Sequence, residues 1–271
     1  MHVQVERSPV RVRWVNPLGY DGYDEPISDF INRIKDDYSQ IEVVSLDFSP
    51  SPDNLEYRAY EALAYPSLVH LARDCDQQGF DAMVIGCFYD TALEAARELS
   101  GETVVLAPCQ ASIQIAANLC NRFSIIVGQQ KWVKQMKDRV HYYGYGDYLA
   151  SMRSIGVSVA DLQKDVPVTT EKILTAGRQA VEKDHAEALI LGCTCTFGLH
   201  QKVQEELGIP VIDPIIATLK MAEFLGQMKQ QFQLSPSRLG SCQPPPEAMI
   251  RQFGLFSGPA PIAKSITIDP A

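Results

Sequence analysis

Cys87 and Cys193 each follow a glycine at the end of a short apolar run. The first run reads Asp81-Ala82-Met83-Val84-Ile85-Gly86-Cys87, and the second Glu187-Ala188-Leu189-Ile190-Leu191-Gly192-Cys193. The likeness continues downstream. Glu98-Leu99 corresponds to Glu206-Leu207, and Pro108 and Pro214 each lie 21 residues beyond their cysteine. A lone cysteine is most often a small buried hydrophobe; two at matched places in a repeat suggest paired chemistry. Opposed thiols suit proton exchange at a carbon centre. One thiolate removes an α-proton from one face, and the other group, as a thiol, returns a proton to the opposite face. A free thiol titrates near pH ~8.5, so modest perturbation makes it a usable base. Backbone N–H groups and hydroxyls must hold the developing enolate oxygen. If the α-proton is already acidic, no cofactor is needed. Gly86 and Gly192 are expected to let the chain turn tightly. The helical segments after the cysteines are expected to offer free N–H groups to a thiolate or substrate anion.

Other residues admit chemical and structural roles side by side. Cys109 also follows a predicted strand, and either lines the pocket or fills the core. Cys195 is a possible disulfide or metal partner for Cys193. Tetrahedral zinc needs more convergent ligands than the spacing reveals, and the chain has no C-x-x-C or H-E-x-x-H, so no metal is assigned. His200 faces either the cleft or the surface. Asp90 is read as the cap of a helix starting at Thr91. The tyrosine-rich stretch 142–148 covers a ligand or builds a subunit contact.

The elements that must hold these residues alternate along the chain. Strands are predicted at 11–15, 41–46, 82–85, 103–106, 123–127, 155–159, 188–191 and 210–212. Helices are predicted at 24–38, 55–78 (kinked or divided at Pro66), 91–99, 108–119, 130–140, 170–183, 199–207 and 214–229. The strands are short, rich in β-branched residues and apolar on both faces. That calls for an α/β fold with mostly parallel sheets covered by helices. Ligands in such folds bind beyond the carboxyl ends of the strands, where both repeated cysteines fall. The two similar units are expected to face one another as pseudo-symmetric lobes across a cleft. The Pro-rich stretch from 233 to 271 has little periodicity and is expected to be an extended tail or an arm on another subunit.

At 271 residues, with 46% hydrophobic and 21% charged residues, the chain can bury a full core as one large domain or two lobes. A net charge of −9 argues against nucleic acid and acidic membranes as general partners. The apolar runs are too short to span a bilayer, and the opening M-H-V-Q-V-E-R-S-P lacks the apolar core of a signal peptide. A cytoplasmic location is the expectation. Seven cysteines, an odd number in a chain of this size, favour free thiols over a disulfide scaffold.

The chain resembles the aspartate/glutamate racemase superfamily, most of all its hydantoin or allantoin racemase branch. The resemblance rests on Asn16-Pro17 after the first strand, Gly86-Cys87-Phe88-Tyr89-Asp90, Leu191-Gly192-Cys193-Thr194, and the run at 123–127. It covers about residues 10 to 230. It implies two α/β lobes, 1–108 with 213–232 and 109–212, with Cys87 and Cys193 facing across the cleft as acid and base. Asn16, Phe88, Thr91, Cys109 and Thr194 would contact the substrate. The implied activity is cofactor-independent racemisation or epimerisation at an acidic α-carbon, with a 5-substituted hydantoin as the best specific substrate. The implied partners are a small molecule bearing a carboxylate or imide and further copies of the chain. Two other readings stand beside it. One is cis-trans isomerisation of a maleate-like diacid through covalent addition of one cysteine; the other is a non-catalytic metabolite binder. Decarboxylation of an arylmalonate-like substrate is less favoured, because that branch resembles a one-cysteine arrangement.

Overall fold

In a computed structural model, which describes residues 8–271, two parallel-rich sheets stand side by side, each covered by helices. The first seven residues, most of the stretch read for a signal peptide, lie outside the described part.

The first half of the chain contributes β1 (Val10–Asn16), α1 (Asp24–Ile34), β2 (Ser39–Leu46), α2 (Arg58–Gln77), β3 (Ala82–Ile85), α3 (Leu93–Leu99) and β4 (Val104–Leu106). Next come α4 (Pro108–Leu119), β5 (Phe123–Val127), α5 (Val133–Tyr142), β6 (Leu149–Ser154), α6 (Val166–Asp184), β7 (Ala188–Leu191), α7 (His200–Leu207) and β8 (Val211–Ile212). The chain closes with α8 (Pro214–Phe232), α9 (Glu247–Gln252) and β9 (Ile262–Ile268). The strand orders are β4-β3-β1-β2-β9 and β6-β5-β7-β8. All pairings are parallel except β9 with β2. β3 and β5 are buried along their whole length, as expected of strands covered on both faces. α8 returns from the second sheet to pack on β1, β3 and β4. Gly226 lets it approach closely, since a Cβ there would meet Val10 Cγ1 at 2.5 Å.

Several local expectations are corrected. The strand expected at 155–159 lies earlier, at Leu149–Ser154. Its polar residues hid it: it is an edge strand, and Ser151 and Arg153 are both bonded to Asp184. Residues 155–158 form a connection in which Gly156 has φ +67°. α2 runs through Pro66 without division, because Ala64, Leu68, Leu71, Ala72 and Cys75 bury one continuous face. The helix after Cys87 starts at Leu93 rather than Thr91, since Asp90 and Ala92 have φ of 53° and 57°.

The C-terminal stretch lies against its own chain instead of extending from it. Ile266 pairs with Val43 in an antiparallel ladder that covers the open edge of β2. Arg238 donates to the carbonyls of Arg97 at 2.9 Å and Gly101 at 3.2 Å, fixing the stretch at the end of α3. Its Pro-rich composition was legible, but the alternation of Ile262, Lys264, Ile266 and Ile268 is the strand signal that composition masked.

Candidate active site

The carboxyl ends of β1, β3 and β7 open onto one cleft of about 590 Å³, its open mouth included. Asn16, Gly86, Cys87 and Phe88 line it from the first sheet; Gly192, Cys193 and Thr194 line it from the second. The two repeated turns are built alike. The Gly86 amide donates to the Val15 carbonyl and the Gly192 amide to the Ile126 carbonyl, each at 2.8 Å. A Cβ on Gly86 would lie 2.9 Å from both Val15 O and Trp14 Nε1, and one on Gly192 would lie 2.9 Å from Ile125 Cγ2. Neither glycine has positive φ. Both are therefore required by close approach to the neighbouring strand, not by the tight turn expected.

Both cysteines keep part of their surface open to the cleft. In each turn the amide two residues onward donates to the sulfur: Tyr89 N–H to Cys87 and Cys195 N–H to Cys193. These donors favour thiolate, but opposing effects are larger. Burial, with the nearby Glu61 carboxylate, pushes the Cys87 thiol up to about 12. The Cys195 side chain, followed by burial, holds the Cys193 thiol well above the ordinary thiol range. Both groups are thus thiols at neutral pH before a ligand enters. The segment after Cys193 is a single 3₁₀ turn, Thr194–Thr196, rather than a helix.

The candidate substrate contacts divide. Phe88 and Thr194 line the cleft, and the Thr194 hydroxyl crosses between lobes to the Gly86 carbonyl at 3.1 Å. Asn16 also lines it, but its amide is held from behind. Its Oδ1 accepts from Trp14 Nε1 at 3.0 Å, and its Nδ2 donates to Asp24 Oδ1 at 2.6 Å. Thr91 and Cys109 are not in the lining. Thr91 is fully buried behind Cys87 and donates to Glu61 Oε1 at 3.2 Å. Cys109 is a core residue of α4. Its burial raises its thiol well above the ordinary range.

Asp90 caps a helix, but not the one expected. Its carboxylate accepts the first amides of α4, Cys109 N at 2.8 Å and Gln110 N at 2.9 Å. Tyr143 donates to the same carboxylate at 2.8 Å, so this member of the tyrosine-rich stretch braces the Cys87 turn. Tyr145 and Tyr148 pack against the second lobe's core, and Tyr142 is exposed. His200 lies outside the lining, with Nδ1 3.3 Å from the buried Asp213 carboxylate that caps α8.

Sequence reasoning missed most of the cleft walls. Tyr23, Leu55, Glu56, Trp132, Met136 and Val159 all line it. Glu56 Oε1 accepts the Val159 amide at 2.8 Å, linking the two lobes at the cleft. The spacing of Trp132 and Met136 marks one helical face; nothing local says that this face covers a ligand. Among the described residues, no group of three or more His, Cys, Asp or Glu side chains is arranged to hold a metal ion.

Comparison with known proteins gives a consistent result. The sequence profile of the Asp/Glu/hydantoin racemase family matches residues 30–222. A hydantoin racemase from Rhizobium meliloti is 37% identical over 176 residues, spanning 65% of this chain and 72% of that one. A hydantoin racemase from Pseudomonas sp. (strain NS671) is 31% identical over 185 residues, spanning 68% and 74% respectively. Among solved structures, allantoin racemase from Klebsiella pneumoniae superposes with a TM-score of 0.80 at 28% identity, covering 88% of this chain and 94% of its own.

Proposed function

The chain belongs to the Asp/Glu/hydantoin racemase family, and we propose that it racemises 5-substituted hydantoins using Cys87 and Cys193 as its acid/base pair. The observation that carries this reading is the opening of both glycine-preceded cysteines, one from each sheet, onto a single cleft. One sulfur, as thiolate, takes the hydrogen from C5. The resulting enolate is held by N–H groups of the two turns, and the other thiol delivers a proton to the opposite face. The exchanged protonation state can turn over the product enantiomer directly, and proton exchange with solvent through the open cleft restores the starting state for another turnover in the same direction. The lobe assignment, 1–108 with 213–232 against 109–212, is part of the same proposal.

The cleft's charge supports a neutral cyclic imide over a diacid. Glu56 is the one charged side chain among the described residues lining it, and its carboxylate is engaged by the Val159 amide. A maleate-like dianion would meet no cation there and would face that carboxylate. The walls formed by Tyr23, Ile27, Phe88, Trp132 and Met136 favour an arylalkyl substituent at C5 over the ureido group of allantoin.

The proposal extends to a homo-oligomer working in the cytoplasm. Seven free cysteines suit a reducing compartment, and Tyr57, Tyr60 and Leu63 form exposed apolar surface at the start of α2. Light scattering and cell fractionation test these two points.

The central test uses each enantiomer of 5-benzylhydantoin in D2O. The expected result is decay of optical rotation to zero with deuterium incorporated at C5, and loss of the rotation decay in Cys87→Ala and in Cys193→Ala, each variant exchanging at most the one enantiomer that its remaining thiol faces. Full turnover in either variant overturns the two-thiol reading, whereas turnover of a diacid but of no hydantoin overturns the substrate.

A further inference from the structure

The backbone after Cys87 is held in place by a side chain from the other half of the molecule. Asp90 and Ala92 have φ of 53° and 57°, a left-handed conformation that residues with a Cβ keep only when their surroundings enforce it. Arg139, on α5, reaches this turn with its whole guanidinium. Its Nε donates to the Tyr89 carbonyl at 3.0 Å, its Nη2 to the Asp90 carbonyl at 3.2 Å, and its Nη1 to Glu94 Oε1 at 2.8 Å. Four residues on, Tyr143 donates to Asp90 Oδ2 at 2.8 Å. α5 packs on β6 of the second sheet, whereas the Cys87 turn ends β3 of the first.

The Cys193 turn is held by an uncharged group. Gln163 Nε2 donates to the Cys195 carbonyl at 2.8 Å and to the Phe197 carbonyl at 3.3 Å. In each turn, then, the carbonyl two residues past the cysteine is taken by a side chain from outside the turn. Only at Cys87 is that donor a cation.

Arg139 also shares its side of the helix with the cleft wall. Trp132 ends the 3₁₀ turn that leads directly into α5. Trp132, Met136, Arg139 and Tyr143 follow one another at intervals of four, three and four residues, which keeps them on one helical face. Trp132 and Met136 line the cleft, and Arg139 and Tyr143 hold the turn beside it. The wall that receives a substituent and the thiol that meets the reacting carbon are therefore fixed to one element.

We propose that Arg139 is a positioning residue for Cys87: its guanidinium fork locks the Cys87 turn to α5 and so sets the place of the thiol relative to the Trp132–Met136 wall. The inference rests on the reading of Cys87 as one of the acid/base groups. Arginine suits this task because a planar fork offers separate N–H groups to two carbonyls and a carboxylate at once. Lysine carries the same charge but cannot span the three acceptors in one fixed geometry.

The test compares wild type with Arg139→Lys, each checked for folding by circular dichroism. Hydrogen–deuterium exchange, read by peptide mass spectrometry, reports on the turn without substrate. Exchange in 87–93 should be about 10-fold faster or more in Arg139→Lys, the change that loss of a hydrogen bond to a charged group gives. Exchange in 193–197 should stay as in wild type. With 5-benzylhydantoin, kcat should fall about 10- to 100-fold, as misplaced reacting groups require, while KM moves by less than about threefold. Equal exchange in 87–93 overturns the proposal. So does an equal acceleration in both turns, which marks general loosening, and so does a rise in KM with kcat kept. If Arg139→Lys does not fold, Glu94→Ala decides. It removes the anion that aligns the guanidinium from a side chain that is 42% exposed. Exchange in 87–93 should then rise with 193–197 unchanged, and no rise overturns the proposal. The exchange measurement is independent of turnover. A wild type that racemises no hydantoin refutes the substrate reading, and exchange in 87–93 still decides the role of Arg139.

Discussion

The hydroxyl of Thr194 donates to the carbonyl of Gly86 at 3.1 Å, joining the turn after one cysteine to the turn before the other. Each turn belongs to a different sheet, so this bond sets the relation of the two lobes at the point where both thiols open. Thr194→Val keeps the shape but removes the donor from a buried carbonyl. The expected cost is about 1–3 kcal/mol of stability, measured by urea unfolding. A fall in kcat larger than the rise in KM is also expected, since the loss misplaces reacting groups more than it weakens binding. Serine at 194 should restore most of both.

The paired glycines should be unequal in cost. At Gly86 an added methyl meets a backbone carbonyl and an indole ring, both at 2.9 Å, and neither can move without shifting β1. At Gly192 the only contact under 3.0 Å is one side-chain methyl, Ile125 Cγ2 at 2.9 Å, with the Ile126 carbonyl and Val127 Cγ1 at 3.0 Å. Gly86→Ala should lose about 1–3 kcal/mol from overpacking, with racemisation reduced at least as much as in Gly192→Ala. Melting temperatures and initial rates of the two variants check the order.

Both thiols are raised above the ordinary range, so activity should climb with pH. Below the titration of the base, thiolate grows about tenfold per pH unit. From pH 6 to 8, log kcat/KM should rise with a slope near one in both directions of racemisation. The same shift affects stability. The Cys87 thiol moves from the ordinary 9.0 to about 12 on folding, so its contribution is complete below pH 9 and is lost as pH rises toward 12. A pH-rate profile that is flat from 6 to 8 in both directions would contradict the raised thiols.

Asp90 should leave a signature at lower pH. Burial raises its carboxyl from 3.8 to about 6, although Tyr143, the Cys109 and Gln110 amides and Arg139 all pull the other way. Between those values the folded chain binds more protons than the unfolded one, so this group's contribution to stability falls as pH rises from about 4 to 6. Asp90→Asn removes the titration while keeping an acceptor for the α4 amides. The stability difference, wild type minus variant, should decrease across that window, as read from melting temperatures at pH 4 to 7. A constant difference would show that Asp90 is already charged throughout.

Some features were legible because they are local. The duplicated apolar run ending in Gly-Cys marks two equivalent buried strands, and strands of that kind occupy the positions expected of them at β3 and β7. Hydrophobic periodicity also located most helices. Edge strands were less legible: β6 carries Ser151 and Arg153, and β9 follows a Pro-rich stretch, so neither resembles a buried strand until its partner is known. Asp90 shows the same limit at one residue. Its sequence neighbours suggested a cap for the helix that follows, but a left-handed backbone at Asp90 and Ala92 turns the carboxylate to the start of α4.

The sequence by itself determined the chemistry on offer: two matched thiols at strand ends in an α/β chain, with glycines before them. Residue type and period are properties of the chain, and they survive without knowledge of distant contacts. Only the tertiary structure decided the environment of those thiols. It moved Thr91 and Cys109 out of the cleft, engaged Asn16 from behind, brought in Tyr23, Trp132 and Val159, and set Glu61 behind Cys87. Those relations join segments tens of residues apart. They depend on how two sheets pack, and packing assigns each side chain to a wall, a core or a hydrogen bond.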